Sequence, residues 1–153
     1  MQHSAGLVLF RRDAGLEVLI AHPGGPLWAR RERGAWSILK GELDPEDDPL
    51  AAALREFTEE TGLPAPPGPY LSLGRVTQKG GKVVEAWAVE GDLDPEAIRP
   101  GTFTMEWPPG FTADFPEIDR VMWVDADTAR DKLNPAQVTF VDALLERIGD
   151  GDG

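Results

Sequence analysis

The sequence GELDPEDDPLAAALREFTEETGL, residues 41–63, carries the clearest helix signal in the chain. Asp48 can cap the helix, Pro49 suits its first position, and Gly62 suits its carboxyl end. Apolar or small residues recur at intervals of four, three and four and predict one buried stripe: Leu50, Leu54, Phe57 and Thr61. The sequence therefore predicts an amphipathic helix over this stretch.

Three glutamates share one arc of this helix. At 3.6 residues per turn, Glu56, Glu59 and Glu60 lie within about 100° of one another, away from the apolar stripe. Like charges at this spacing repel, and a hard cation such as Mg²⁺ or Mn²⁺ would offset the repulsion because it binds carboxylate oxygens. A solvated helix face with Arg55 as counter-charge is the alternative. The spacing alone leaves both interpretations open.

The composition is that of an acidic globular protein. The 153 residues include 27 Asp and Glu against 15 Lys and Arg, which gives a net charge of −12. A chain of this length is typical of one domain with one core. The negative charge disfavours nonspecific binding to nucleic acid.

Other compositional features exclude several kinds of site. The chain contains no cysteine, which excludes disulfides, thiolate metal sites and cysteine nucleophiles. Residues 1–6 carry no basic segment, and the apolar run at 7–10 is too short for a signal peptide or a membrane span. We therefore expect a cytoplasmic protein with no membrane partner. A monomer and a homodimer both remain open.

Strands are predicted on both sides of the helix. Residues 4–11 and 16–22 are rich in Val, Leu and Ile and predict a hairpin. Residues 35–39 predict a short strand. Residues 70–78 and 82–90 predict a second hairpin, in which Gly80-Gly81 favours a type I′ turn. Residues 91–118, rich in Pro, Gly and aromatic residues, predict a long irregular insertion or lid that allows one short strand at 104–107.

The last part of the chain predicts a strand and two helices. The strand covers residues 120–124, and Asp125 and Asn134 can cap the helices. The second helix opens with Pro135, ends near Gly149 and has a predicted core face: Val138, Val141, Leu144, Leu145 and Ile148. We expect a single domain over residues 1–148 and a disordered tail over 149–153.

One basic stretch precedes the predicted helix of residues 49–61. From Trp28 to Lys40, four basic residues less Glu32 give a charge of +3. Its arginines, at positions 30, 31 and 33, are candidates to neutralise phosphates, because guanidinium groups match phosphate geometry. The alternative is a solvated loop whose arginines pair with local carboxylates.

The wider string resembles the Nudix box of the Nudix hydrolase superfamily, the MutT-like enzymes. That box reads G, five residues, E, seven residues, R-E-U-x-E-E-x-G-U, where U is a bulky apolar residue. Here it starts at Gly41 and ends at Leu63, with Asp47 where the family usually has Glu and Phe57 at a position that is more often aliphatic. The resemblance implies an α/β protein with the Nudix fold, an α/β/α sandwich with a mixed central sheet.

The resemblance also implies roles for individual residues. Four side chains would supply metal ligands: Glu56, Glu59, Glu60 and Glu117. The backbone carbonyl of Lys40 or of Gly41 would supply a further oxygen ligand. Glu117 is the best match for an extra glutamate before the last strand, with Asp119 as second choice. Arg55 would hold Glu56 in place by a charge-assisted bond. The general base would be Glu56 or Glu117, and the sequence does not decide between them.

Further residues would bind the substrate. The distal phosphates would lie near five basic side chains: Arg30, Arg31, Arg33, Lys40 and Lys82. Of these, Lys82 is a weaker candidate. Trp28 could stack on an adenine ring.

The implied reaction is hydrolysis of a diphosphate linkage by water that one or more divalent cations activate. Residues 36–42 and 117–123 are similar to diadenosine polyphosphate hydrolases, although Leu39 stands where those enzymes usually have Pro. The expected substrate is a nucleoside diphosphate-linked small molecule, with a dinucleoside polyphosphate as one option. Nucleoside triphosphate pyrophosphohydrolase activity and a non-catalytic nucleotide-binding sensor are the alternatives.

Overall fold

A mixed six-stranded sheet forms the centre of the protein, which a computed structural model describes over residues 2–148. Its strands are β1 (His3–Arg11), β2 (Glu17–Pro23), β3 (Leu39–Glu42), β4 (Leu71–Thr77), β5 (Val83–Glu90) and β8 (Ile118–Val124). The strand order is β4-β5-β1-β2-β8, and β3 pairs with the first half of β1. β1 and β5 are parallel, whereas the other pairings are antiparallel. The predicted tail lies outside the described residues.

Helices cover both faces of this sheet. They are α1 (Pro49–Thr61), α2 (Ala126–Lys132) and α3 (Val138–Ile148). One core cluster joins α1 to residues of β1 and β2 such as Leu7 and Leu19, and the other joins α2 and α3 to the opposite face through Val8 and Ile20. This arrangement is the predicted α/β/α sandwich. Within residues 2–148, no helix has both the length and the apolar character that crossing a membrane requires.

The capping residues of α1 confirm the predicted helix. The Asp48 side chain accepts a hydrogen bond from the Ala51 amide at 2.9 Å, and Gly62 ends the helix with a φ of 74°. The predicted buried stripe is only half right, because Leu50 and Leu54 are partly exposed while Ala52 and Ala53 are fully buried. Small side chains therefore form the contact with the sheet, which brings the helix backbone close to the strands.

The strand predicted at residues 35–39 lies elsewhere. β3 begins at Leu39, and the preceding residues pair with two different partners. Trp36 forms a bridge with Leu133, whereas Ser37 forms one with Ala21. Because neighbouring residues bond to separate elements, this segment cannot form a continuous ladder.

Residues 91–118 are more regular than predicted. β6 (Thr102–Glu106) and β7 (Thr112–Pro116) form a separate antiparallel hairpin. This hairpin packs on the loop after β2, where Gly24 and Gly25 leave space for Pro116 and Phe103. The short strand expected at 104–107 overlaps β6, and exposure alternates along both strands because only one face of the hairpin is partly covered.

Two turns also differ in detail from their predictions. The Gln78 amide donates to the Lys82 carbonyl at 2.7 Å, so the β4–β5 loop contains three residues, not the two of a type I′ turn. Asn134 caps a 3-10 turn, Pro135–Gln137, which precedes α3.

The predicted core face of α3 is buried at Val141, Leu144 and Ile148, and Phe140 joins it.

We predict that Asp48→Ala lowers the free energy of unfolding by about 1 kcal/mol, because the amide of Ala51 loses its acceptor. Chemical denaturation measures the change. Asp48→Asn keeps an acceptor at the same position and should retain most of the stability. An equal loss in both variants would contradict a capping role for the side chain.

Candidate active site

A cleft of about 280 Å³ lies where β3, α1 and the β4–β5 loop meet the segment before β8. Five side chains predicted to act in the site line it: Trp28, Lys40, Glu60, Lys82 and Glu117. They come from five separate segments of the chain, so the fold brings together residues that are far apart in sequence. Charges of both signs face the same space.

Gly41 on β3 holds Glu56 of α1 at close range. A Cβ atom at Gly41 would lie 1.7 Å from Oε1 of Glu56 and 2.5 Å from its Cγ. No side chain fits in that space, since real Cβ atoms do not approach other heavy atoms below about 3 Å. The glycine at this position is therefore required by the glutamate that packs on it.

Glu60 reaches the cleft from the last turn of α1. Its Oε1 is buried and has no hydrogen-bond partner among the described residues. Burial, and then the charges of Glu56 and Glu117, raise the pKa of Glu60 to about 8, although the Lys40 ammonium acts in the opposite direction. A buried carboxylate oxygen without a partner is costly, so this atom needs a proton or a cation.

Glu56 lies in a similar environment. Burial is the main cause that raises its pKa to about 7, followed by the adjacent carboxyl of Glu59 and the charge of Glu117. Glu59 itself is exposed on the outer side of the helix. The structure thus brings Glu56, Glu60 and Glu117 into electrostatic contact, with Glu59 next to Glu56.

These carboxylates are not arranged as a finished metal site. Within residues 2–148, no group of three or more His, Asp or Glu side chains has the geometry to hold a metal ion. The donor set is nevertheless one that hard divalent cations prefer, since all its atoms are oxygens.

Arg55 pairs with two acidic residues beside the cleft. Its Nη2 lies 3.4 Å from Oδ2 of Asp47, and its Nε lies 3.8 Å from Oε2 of Glu56. Asp47 therefore reaches the arginine despite being one methylene shorter than glutamate. The contact with Glu56 is an ion pair that is longer than a hydrogen bond.

Two lysines supply the positive charge of the cleft. Burial lowers the pKa of Lys40, and the neighbouring Lys82 ammonium lowers it further, while Glu60 and Glu42 oppose both effects. Lys40 and Lys82 are thus close enough to repel one another. A bound anion would relieve this repulsion.

The predicted arginines do not line this cleft. Arg33 instead pairs with Asp131 at 2.7 Å, and the Arg31 guanidinium lies 5.6 Å from the centre of the Trp28 ring. The loop is held by Glu32, which binds Arg120 and lies 3.4 Å from Nζ of Lys132. The Arg120 contact is the main cause that lowers the pKa of Glu32 to about 2. Roles for Arg30, Arg31 and Arg33 in phosphate binding stay predictions.

Sequence reasoning missed a group of neutral polar residues in the same cleft. As well as by the charged residues, the cleft is lined by these four: Ser37, Gln78, Asn134 and Gln137. Gln137 is 1 % exposed, yet each polar atom of its side chain has a partner. The one signal in the sequence is the cap residue Asn134 three residues earlier, and it identifies neither side-chain partner of Gln137.

The comparison with known proteins agrees with the fold. The family model described as NUDIX domain matches residues 1–144. A crystal structure of a Caenorhabditis elegans Ap4A hydrolase binary complex is similar over 96 % of this chain and 98 % of that chain, with a TM-score of 0.70 and 19 % identity. The predicted Nudix fold is therefore confirmed.

Two curated relatives are similar in sequence. The 8-oxo-(d)GTP phosphatase of Mycolicibacterium smegmatis is 33 % identical over 147 residues, which cover 85 % of this chain and 37 % of that protein. The RNA pyrophosphohydrolase of Xanthomonas campestris is 40 % identical over 55 residues, which cover 35 % of this chain and 26 % of that protein. The chain thus spans well under half the length of both relatives.

We predict that the metal-free protein loses stability as the pH rises from 5 to 8. The folded protein holds protons on Glu56 and Glu60 up to about pH 7 and 8, whereas the unfolded chain releases them near the ordinary value of 4.5. The free energy of unfolding is therefore greatest below about pH 4.5, where both carboxyls are protonated in the unfolded chain as well. It falls as the pH rises and levels off above the pKa values of the folded protein, about 7 and 8. Urea midpoints measured in chelator across this range test the slope.

Glu60→Gln provides the matched control for this slope. Glutamine keeps the size of the side chain and removes one titrating group, so the decline with pH should be clearly smaller than in the wild type. A wild-type midpoint that rises between pH 5 and 8, or an unchanged slope in the variant, would contradict a pKa of Glu60 that burial raises in the folded protein.

Proposed function

The chain belongs to the NUDIX family, and we propose that it hydrolyses a diphosphate linkage in a nucleoside diphosphate-linked small molecule. The observation that carries the proposal is the partnerless buried Oε1 of Glu60, which faces a cleft that also contains Glu117, Lys40 and Lys82. Acidic and basic groups in one cleft suit a substrate whose phosphates bind the lysines, together with a divalent cation that the carboxylates would hold.

The residues at the site fit a divalent cation, Mg²⁺ or Mn²⁺. Glu56, Glu60 and Glu117 would hold it, with Glu59 and a backbone carbonyl of Lys40 or Gly41 as further oxygen ligands. Burial first, and neighbouring negative charge second, raise the pKa values of Glu56 and Glu60, and a bound cation would offset both effects. When bound, such a cation lowers the pKa of the attacking water and neutralises charge on the leaving phosphate.

The chain's own residues position the reactants and move the proton. An oxygen of water forms a bond to one phosphorus, the bridging P–O bond breaks, and a proton of the water passes to the carboxylate of Glu56 or Glu117. Gly41 and Arg55 position Glu56. Lys40 and Lys82 bind the phosphates, and the exposed Trp28 ring at the rim can stack on a base.

A small nucleotide is the favoured substrate. One relative is named for 8-oxo-(d)GTP and another for RNA, whereas the similar structure is named for Ap4A. The net charge of −12 disfavours a long polyanion such as RNA. We therefore propose that a nucleoside triphosphate or a dinucleoside polyphosphate binds here, in a cytoplasmic protein.

A panel of substrates tests the proposed reaction. We expect release of nucleotide or phosphate from at least one compound in a set of nucleoside triphosphates, 8-oxo-dGTP, dinucleoside polyphosphates and nucleotide sugars, with Mg²⁺ or Mn²⁺ and not with chelator. Product identification in heavy-oxygen water shows which phosphorus is attacked. If no compound in the panel is turned over, the non-catalytic sensor becomes the better interpretation.

Glu60→Gln should lower kcat by about 100-fold or more, because a ligand carboxylate is replaced by a neutral amide, and even supporting residues of metal sites cost about 10- to 100-fold. Circular dichroism should show an unchanged fold. An unfolded variant would indicate a structural role, and a kcat close to that of the wild type would contradict the assignment.

Gly41→Ala tests the position of Glu56 without changing a charge. The added methyl group occupies the space of the Glu56 carboxylate, so the glutamate must move and kcat should fall. Ala53→Gly offers a comparison at a buried position of α1 that faces the core. Ala53→Gly should lower the melting temperature and leave kcat close to the wild-type value.

A further inference from the structure

The backbone of Ile38 sets the direction of a chain of hydrogen bonds beside the cleft. Its amide donates to Oε1 of Gln137 at 2.9 Å, and its carbonyl accepts from the Ser37 hydroxyl at 2.8 Å. Backbone groups cannot exchange donor and acceptor roles. The oxygen of the Gln137 amide therefore faces Ile38, and its nitrogen must donate on the other side.

The Gln137 nitrogen fixes the next amide in turn. Nε2 of Gln137 donates to Oγ of Ser37 at 3.1 Å and to Oε1 of Gln78 at 2.8 Å. A flipped Gln78 amide would place two donors against each other, so its oxygen must face Gln137. The oxygen of Gln78 is thus held inside the protein, and its nitrogen, with two N–H donors, is the atom left for a ligand.

The position of Gln78 in the cleft suggests which part of a substrate it meets. Glu60, Glu117, Lys40 and Lys82 form the charged part of the cleft, where a diphosphate group binds. The rest of the lining is neutral: Ser37, Asn134 and Gln137 are polar, whereas Trp28, Trp36 and Ile38 are apolar or aromatic. A nucleobase suits that part, because it is flat, uncharged and rimmed by hydrogen-bonding groups.

We propose that Gln78 is a donor-only specificity residue that selects a nucleobase with a carbonyl oxygen, such as guanine or hypoxanthine, over one with an amino group at that position, such as adenine. Gln137 is the positioning residue that keeps the Gln78 amide in this orientation. An amino group facing Gln78 would leave donors on both sides without an acceptor, and such mismatches discriminate strongly. This inference rests on the proposed function, since it assigns the base of the same substrate.

The test compares guanine and adenine nucleotides in matched pairs. We expect the wild-type protein to show a higher kcat/KM for GTP than for ATP, and for diguanosine than for diadenosine tetraphosphate, by at least about 10-fold. Gln78→Glu replaces the two donors with an acceptor and should reverse the order. Gln137→Leu leaves Gln78 in place but frees its amide to rotate, so the preference should shrink although the contacting residue is unchanged.

Gln2→Glu is the control for added charge. Gln2 lines a second groove with Gly80, Gly81 and Lys82, to which Gln78 does not contribute, and its substitution should leave the guanine-to-adenine ratio unchanged. Equal losses for GTP and ATP in Gln78→Glu would place the contact on a phosphate and overturn the proposal. A wild-type preference for adenine would also overturn it. Should Gln137→Leu fail to fold, the Gln78 variant alone decides.

Binding measurements separate this inference from the proposed function. Calorimetric titration of GDP and ADP, with Mg²⁺ present, reports discrimination without turnover. Tighter binding of GDP that is reversed in Gln78→Glu, with no hydrolysis of any nucleotide, would support the role of Gln78 and reject the hydrolase. Hydrolysis without any difference between the two bases would support the hydrolase and reject the role of Gln78.

Discussion

The contact between Gly41 and the carboxylate of Glu56 constrains the rest of the site. α1 is capped at both ends and lies on the sheet through Ala52 and Ala53, whose small side chains bring the helix backbone close to the strands. At that distance, a glutamate on the side that faces β3 has room only if β3 presents a glycine. Close packing of hydrocarbon therefore forces two carboxylates, Glu56 and Glu60, into partial burial. Their raised pKa values are a consequence of this packing.

The same packing explains how an acidic protein can bind an anionic substrate. Five acidic residues lie between Glu42 and Asp48, and three more are Glu56, Glu59 and Glu60, so eight of the 27 acidic side chains belong to one segment. Lys40 and Lys82 line the same cleft as Glu60, and they are close enough to one another to lower the pKa of Lys40. A cation on the acidic side would make the local field positive, although the net charge of the chain stays negative.

The sequence predicts α1 because its capping residues act locally. It predicts other elements less well because their structure depends on pairing between residues far apart in the chain. A cap, a proline and a terminal glycine act within a few residues, and each was visible in the sequence. β3 was predicted too early because Trp36 and Ser37 bond to segments about 97 and 16 residues away along the chain. Of the β6–β7 hairpin, the sequence predicts only a short strand at 104–107, which overlaps β6, because only one face of the hairpin is partly covered. Glu117 is predicted from the resemblance and lines the cleft, but the partners of Gln137 depend on three segments that only the fold brings together.

The charged part and the neutral part of the cleft lie on different kinds of structural element. Glu56 and Glu60 project from a helix that is fixed at both ends, and Gly41 lies in a strand of the central sheet. Gln78 and Gln137 lie in the β4–β5 loop and in the turn before α3, which connect elements without forming the core. Changes in these connections can alter the hydrogen-bond direction at Gln78 while the carboxylates keep their positions. The proposed base selection can therefore vary separately from the proposed hydrolysis, provided that the backbone of Ile38 continues to anchor the Gln137 amide.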